Sequence, residues 1–332
     1  MTRGLQHWLE ARWYGNAPVP WWLAGLERLF AWLAARDRRR QRARQVRLPV
    51  PVIVIGNIGV GGSGKTPLVI ALIEHLRQAG WRPGVVSRGY GRRGKGIHRV
   101  APADAVEHAG DEPVLIARRT GAPVVVAADR VAAGRTLVAT GEIDIVLADD
   151  GLQHLALARD VEIVVIDGRR RLGNARLLPA GPLREAPQRL RQVDLVLVNG
   201  PRQDGEPGFD LVMDQARSLG DDTPRPLREF QSGPVHAVAG IGDPARFFTA
   251  LRQAGLTLIE HPFPDHHRLQ PDDLDFPDRQ PVLMTEKDAV KCRDFAQPHW
   301  FHVPVNATLD ARALASVAEL LARLPERDAA LR

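Results

Sequence analysis

Residues 59–66 read Gly59-Val60-Gly61-Gly62-Ser63-Gly64-Lys65-Thr66 and match the pattern G-x-x-x-x-G-K-[ST] at every position. A β-branched run, Val52 to Gly56, precedes the match, and a helical pattern over 68–79 follows it. In that context the backbone N–H groups wrap phosphate oxygens, and the start of the helix adds a positive dipole. The pattern predicts a P-loop in which Lys65 reaches the β- and γ-phosphates and the Thr66 hydroxyl binds Mg²⁺. The alternative is a glycine-rich turn without a ligand.

Short apolar runs alternate with helical patterns on both sides of this loop, which predicts an α/β fold. We expect a P-loop NTPase-like parallel sheet with helices on both faces and a second, smaller α/β domain. The predicted divisions are an amphipathic, membrane-associated N-terminal segment (1–48), a P-loop kinase domain (49–230), the smaller domain (231–308) and a C-terminal helix (309–332). Whether that last helix packs back on the first domain stays open.

The composition limits the possible partners. A net charge of +6 and a sequence pI of about 10.1 favour an anionic partner such as phosphate, acidic lipid or nucleic acid. The single cysteine, Cys292, rules out an intramolecular disulfide and fits a reducing cytoplasm. The first residues do not read as a secretory signal, and no apolar stretch is long enough to span a bilayer.

The N-terminal segment carries five of the seven tryptophans. At 100° per residue, the predicted helix over 21–35 gathers its tryptophans, leucines and Phe30 into one apolar arc, and seven arginines follow between Arg36 and Arg47. This pattern is typical of an interfacial membrane anchor, although a helix packed on the core explains the arc equally well. Deleting residues 1–35 is expected to release an anchored protein from membranes.

Acidic residues at the end of a neighbouring strand would complete a magnesium site. The predicted strand over 143–148 is followed by the pair Asp149 and Asp150, which we assign to Mg²⁺ together with Thr66, and which of the two contacts the metal stays open. Asp167 is the competing acid, and a helix-capping turn is the alternative role for the pair. Since Thr285-Glu286-Lys287-Asp288 has its lysine one place too late for the guanine-reading pattern Asn/Thr-Lys-x-Asp, ATP is favoured over GTP.

Several strings of this chain, in order and over nearly its whole length, resemble those of the tetraacyldisaccharide 4'-kinases of lipid A biosynthesis. The strings that carry the resemblance are Gly56-Asn57-Ile58, Gly61 to Pro67, Ser87-Arg88-Gly89-Tyr90-Gly91, Gly110-Asp111-Glu112-Pro113, Asp149 to His154, Asp167-Gly168, Leu178 to Glu185, Phe263-Pro264-Asp265-His266 and Thr285 to Lys291.

The resemblance implies transfer of the γ-phosphate of ATP to the 4'-hydroxyl of a tetraacylated disaccharide 1-phosphate. It implies that Asp111 acts as the base with His266 as its partner, although the adjacent His267 is a one-place alternative. It also implies that the acceptor is gripped by Arg130, Gln153 and Arg184. On its own, His266 would read as a loop histidine. For Arg130 and Arg184 the alternative is a surface arginine without a ligand, and it fits Arg184 less well than Arg130.

A lipid acceptor places the expected site of action at the cytoplasmic face of the bacterial inner membrane, with the N-terminal helix on the membrane surface. We expect neither nucleic acid nor an obligatory protein partner. The rival from another class is a P-loop regulatory or metallochaperone NTPase that acts on a protein partner. Nucleic-acid binding by the arginine cluster is a weaker reading, because the cluster lacks interleaved aromatic residues.

Overall fold

The computed structural model describes residues 3–265 and 267–324. The helices are α1 (Arg3–Trp13), α2 (Trp21–Arg42), α3 (Lys65–Gln78), α4 (Val106–Ala109), α5 (Asp111–Thr120), α6 (Arg130–Val138), α7 (Pro244–Gln253), α8 (Glu286–Cys292) and α9 (Ala311–Ala322). The strands are β1 (Val52–Gly56), β2 (Pro83–Ser87), β3 (His98–Val100), β4 (Val124–Val126), β5 (Ile145–Asp149), β6 (Val161–Asp167), β7 (Leu195–Asn199), β8 (Gly208–Val212), β9 (Gln215–Ser218), β10 (Pro224–Pro226), β11 (Pro234–Ala239), β12 (Thr257–Pro262), β13 (Val282–Thr285), β14 (Trp300–Val303) and β15 (Asn306–Leu309).

The larger sheet has the strand order β15-β8-β7-β6-β1-β5-β2-β4-β3. Its central strands are parallel and fully buried, and the two edge strands β3 and β15 run antiparallel to their neighbours. Ile53 and Ile55 pack towards α3, α5 and α9, whereas Val52 and Val54 pack towards α6. This alternation confirms the predicted parallel sheet covered on both faces.

The smaller sheet has the order β10-β9-β14-β13-β11-β12, with α7 and α8 packed on its two faces. The chain enters this sheet between Val212 and Gln215 and leaves it between Val303 and Asn306. Strands β9 and β10 therefore precede residue 231, where the sequence placed the start of the second domain. Strand β15 and helix α9 join the core of the first sheet.

The helix expected over 21–35 extends to Arg42. Its outer face exposes Trp21, Trp22, Leu26, Leu29, Trp32 and Leu33, and exposed arginines follow in its last turns. The opposite side holds Leu23, which is buried. It also holds Glu27, whose carboxylate accepts hydrogen bonds from Arg176 (2.7 Å) and from the backbone N–H of Leu177 (2.8 Å). Within the described chain, the helices are all too short or too polar to cross a membrane.

Candidate functional site

The loop between β1 and α3 is held by backbone contacts and one asparagine. Gly64 caps α3 with a φ of +87°, and a Cβ there would lie 2.5 Å from the Nδ2 atom of Asn199. That amide donates to the carbonyl of Ser63 (2.9 Å), and the N–H of Val60 donates to the carbonyl of Pro182 (2.9 Å). With the loop fixed in this way, the N-terminus of α3 presents its unpaired N–H groups as an anion site.

The expected acidic pair lies at the end of β5, next to β1 in the sheet. The Lys65 Nζ atom is 3.4 Å from Oδ1 of Asp150, and Nη1 of Arg184 is 3.5 Å from Oδ2 of the same carboxylate. Burial raises the pKa of Asp150, but the two cations outweigh it and hold that pKa below its ordinary value. Lys65, Asp150 and Arg184 thus converge at the carboxyl edge of the sheet.

Asp149 is 1% exposed, and its Oδ1 atom has no hydrogen-bond partner within the described part of the chain. Burial, together with the charges of Glu112 and Asp150, raises the pKa of Asp149 to about 7. Its Oδ2 atom accepts only a long hydrogen bond from the Ser87 hydroxyl (3.5 Å). A buried carboxylate with so few partners is costly unless a cation compensates it. A cation bound beside Asp149 would therefore stabilise the ionised form of this carboxylate.

These residues fit a magnesium ion. Residues 3–265 and 267–324 contain no cluster of three His, Cys, Asp or Glu side chains arranged to hold a metal. Mg²⁺ commonly takes only one or two carboxylates from a protein and completes its shell with phosphate oxygens and water. The unpaired Oδ1 of Asp149 and the buried Thr66 hydroxyl are suitable donors. The competing acid, Asp167, instead accepts a hydrogen bond from Arg246 (3.0 Å).

Asp111 is the first residue of α5 and is 6% exposed. Its Oδ1 atom accepts from the backbone N–H of Glu112 (3.0 Å). The preceding Gly110 has a φ of +93°, and a Cβ there would come within 3.0 Å of the Tyr90 carbonyl. Close backbone packing between the two loops thus fixes where α5 begins.

Two residues that the sequence analysis did not select complete this part of the site. Lys287, on α8 of the second domain, forms an ion pair with Glu112. Although burial lowers the pKa of Lys287, Glu112, Asp111 and Asp265 outweigh it and raise that pKa. Both residues lie in strings already singled out, but their pairing joins positions 175 residues apart. Short-range spacing carries no signal for such a contact.

His266 lies outside the described residues. Its neighbour His267 stacks on Phe263 with ring centroids 4.9 Å apart, and its Nε2 lies 3.1 Å from Asp273 Oδ2. The one-place alternative therefore already has a carboxylate partner within its own loop.

The remaining expected residues occupy different environments. Arg130 is 4% exposed, and its Nη1 atom donates to the carbonyls of Ala127 (2.8 Å) and Ala128 (3.3 Å). Burial and the charge of Arg88 lower the pKa of Arg130 to about 10. Arg130 is therefore not the surface arginine of the alternative reading.

Gln153 is half-buried beside the P-loop. Its Nε2 atom donates to the carbonyl of Asn57 (3.2 Å) and to Oε1 of Glu185 (2.7 Å). These bonds tie the chain after Asp150 to the residue that follows β1.

The N-terminal helices contact the P-loop directly. The Tyr14 hydroxyl lies 3.5 Å from the carbonyl of Val60, and the Arg170 guanidinium lies 5.4 Å from the Tyr14 ring centroid. Trp13 donates from its indole N–H to the carbonyl of Pro179 (3.0 Å). Tyr14 is thus part of the wall of the P-loop site, whereas the exposed face of α2 points away from the protein.

Comparison with known proteins gives consistent matches. A family model described as "Tetraacyldisaccharide-1-P 4'-kinase" (LpxK) matches residues 19–323. A tetraacyldisaccharide 4'-kinase of Nitrosococcus oceani is 51% identical over 314 residues, which cover 93% of each chain. One from Methylobacillus flagellatus is 46% identical and covers 99% of this chain and 100% of its own. A crystal structure of LpxK from Aquifex aeolicus in complex with ATP superposes with a TM-score of 0.75 at 28% identity, covering 90% of this chain and 98% of that one.

Proposed function

This chain belongs to the tetraacyldisaccharide 4'-kinase family, and on that premise we propose that it transfers the γ-phosphate of ATP to the 4'-hydroxyl of a tetraacylated disaccharide 1-phosphate in lipid A biosynthesis. The observation that carries the proposal is the contact of the P-loop lysine, Lys65, with Asp150 (3.4 Å) directly after β5. Glu112, in the first turn of α5, lies near enough to raise the pKa of the adjacent Asp149. The rival regulatory or metallochaperone NTPase is set aside, because the relatives with 46–51% identity are kinases by name.

The P-loop is proposed to hold the triphosphate through the backbone of residues 59–64 and the N-terminus of α3. Lys65 then places its ammonium group on the β- and γ-phosphates, exchanging its contact with Asp150 for phosphate oxygens. Because charge is spread over the transferred group in the transition state, a fixed cation at this position lowers the barrier.

Asp149, Asp150 and Thr66 are proposed to hold Mg²⁺, which when bound would neutralise charge on the β- and γ-phosphates. The unpaired, buried Oδ1 of Asp149 supports this role. Before the triphosphate binds, Lys65 and Arg184 keep the Asp150 carboxylate ionised.

Asp111 is proposed to accept the proton of the 4'-hydroxyl as the oxygen attacks the γ-phosphorus, with His266 as its partner. A sugar hydroxyl needs such a base because it is a weak nucleophile when protonated. Lys287 pairs with the adjacent Glu112 and so holds α5 against the second domain. That pairing supports a site that becomes complete when the two domains come together.

Arg184 and Gln153 are proposed to orient the acceptor from the P-loop side, and Arg130 from the start of α6. A guanidinium suits a phosphate because its N–H fork bonds two oxygens. Arg184 is 34% exposed and accessible to a substrate, whereas Arg130 is buried and would act through its unpaired Nε atom.

The chain is proposed to work at the cytoplasmic face of the bacterial inner membrane, held there by α2. The exposed tryptophans and leucines suit the acyl boundary, and the arginines that follow suit anionic headgroups. The contact of Tyr14 with the P-loop segment would then keep the phosphate site close to the bilayer.

The decisive experiment measures ATP consumption with and without the disaccharide 1-phosphate and identifies the product by mass. We expect consumption that depends on the acceptor and a product heavier by one phosphate. Asp111→Asn should lower turnover by roughly two decades, the scale of a lost general base, while ATP binding persists. Asp210→Asn, an exposed matched control on β8, should behave as wild type. Strong hydrolysis without any phosphorylated lipid would exclude the kinase assignment.

A further inference from the structure

A cavity of about 240 Å³ lies between the two domains, beside the last turn of α5. Its lining includes Arg118 and Arg119 from α5 and Arg217, Asp222, Arg293 and His302 from the second domain. None of the P-loop residues or the candidate catalytic residues described above lines it. From Asp111 to Arg118 the helix rises by about 10 Å, so this cavity is separate from the phosphate-transfer site.

Positive charge in this interdomain cavity exceeds negative charge. Arg119 is neutralised by Glu286 (2.7 Å), which also accepts from the N–H of Val305 (3.0 Å). Of the lining carboxylates, Asp222 then faces two guanidinium groups. It lies 2.9 Å from Arg217 and 3.7 Å from Arg293, and it also accepts from His302 (3.1 Å), whose pKa is lowered by burial. One carboxylate cannot compensate both guanidinium groups.

One donor in the lining, Nη1 of Arg118, is buried and has no hydrogen-bond partner within the described residues. His302 supplies no second one, because its Nε2 lies against Asp222 (3.1 Å), burial lowers its pKa, and Nδ1 of the neutral ring is an acceptor. Burial and repulsion by Arg293 lower the pKa of Arg118, and attraction by Asp294 offsets this only in part. A buried donor and mutually repelling guanidinium groups are features that a bound anion would satisfy.

We propose that the interdomain cavity is a second anion site, which binds a tetrahedral oxyanion of the phosphate type between Arg118 of the first domain and Arg217 and Arg293 of the second. Guanidinium forks match the oxygen spacing of such an anion. The anion is either free phosphate or, resting on the proposed function, the 1-phosphate of the acceptor. Because the bound anion contacts both domains, its binding favours the packing of α5 against α8.

Isothermal titration of inorganic phosphate into the full chain tests the site, with the P-loop filled by a non-hydrolysable ATP analogue. We expect one saturable site at constant ionic strength, with sulfate as a competitor. Arg118→Gln and Arg293→Gln should each weaken binding at least tenfold, because each removes a charge-assisted hydrogen bond. Arg323→Gln, an exposed arginine on the last turn after α9, should bind as wild type.

Steady-state kinetics then identify the source of the anion. If the acceptor supplies it, phosphate competes with the acceptor and Arg293→Gln raises the KM for the acceptor. If free phosphate is the ligand, it changes kcat without changing that KM. Absence of saturable binding at millimolar phosphate, or equal affinity in both arginine variants and wild type, would refute the site. Neither result would affect the kinase assignment, because kinase activity is measured in phosphate-free buffer.

Discussion

Replacing Trp21 and Trp32 together by glutamine tests whether the outer face of α2 binds membranes. The two side chains are 87% and 57% exposed. With about 250 Å² for a tryptophan, they present about 350 Å² to solvent. At about 25 cal/mol per Å², full transfer to an apolar phase would contribute about 9 kcal/mol. If the interface takes up roughly half of that area, the loss is about 4 kcal/mol, so we expect partitioning to fall at least a hundredfold.

The assay is sedimentation with vesicles that contain anionic phospholipid, over a range of lipid concentrations. Leu314→Gln is the matched control, since Leu314 is 39% exposed on α9 and should not alter partitioning. ATP affinity should remain that of wild type in all variants. Undiminished sedimentation of the double variant would refute the assignment of this face. Deletion of residues 1–35 is a poorer test, because it also removes Tyr14, which contacts the P-loop, and Trp13, which bonds to Pro179.

Gly64→Ala should reduce the ATP affinity measured by calorimetry and lower the unfolding free energy measured in urea by at least about 1 kcal/mol. The reason is that Gly64 has a positive φ and the new Cβ would meet the Asn199 side chain. Gly121→Ala, at a positive φ with open space around it, is the control for backbone strain alone. Lys287→Met should cost about 2 kcal/mol of unfolding free energy, because it leaves the Glu112 carboxylate without its cation; an unchanged urea midpoint would contradict this pairing. Cys292 should resist alkylation at pH 8 until the protein is unfolded, because burial raises the pKa of its thiol to about 12. Rapid labelling of the folded protein, followed by mass spectrometry, would contradict that burial.

The sequence predicted the elements whose determinants are local. Each strand of the first sheet that it selected exists, because β-branched runs bounded by turns and helical patterns favour strands. The sequence predicts that α2 ends at Ala35, seven residues before its observed end at Arg42. The apolar arc stops near Ala35, but arginine is a good helix former and carries the helix on to Arg42.

Helix α5 was missed although its start carries a recognisable signal. Asp111, Glu112 and Pro113 form its first turn, where acidic residues and proline are favoured. The ion pair between Glu112 and Lys287 had no comparable signal, because it depends on how two domains pack. The roles of Asp111, Arg130 and Gln153 stay predictions.

The topology has a consequence for dissecting the protein. Strands β8 and β15 are antiparallel neighbours, and Val212 pairs directly with Asn306. Residues 213–305 therefore emerge and return at adjacent points, as an insertion at the tip of a hairpin. Joining 212 to 306 through a two-residue turn of the Asn-Gly type would close that hairpin. Such an excision would expose the flank of α5 that now packs against α8, so a minimal phosphate-binding module would need polar replacements there.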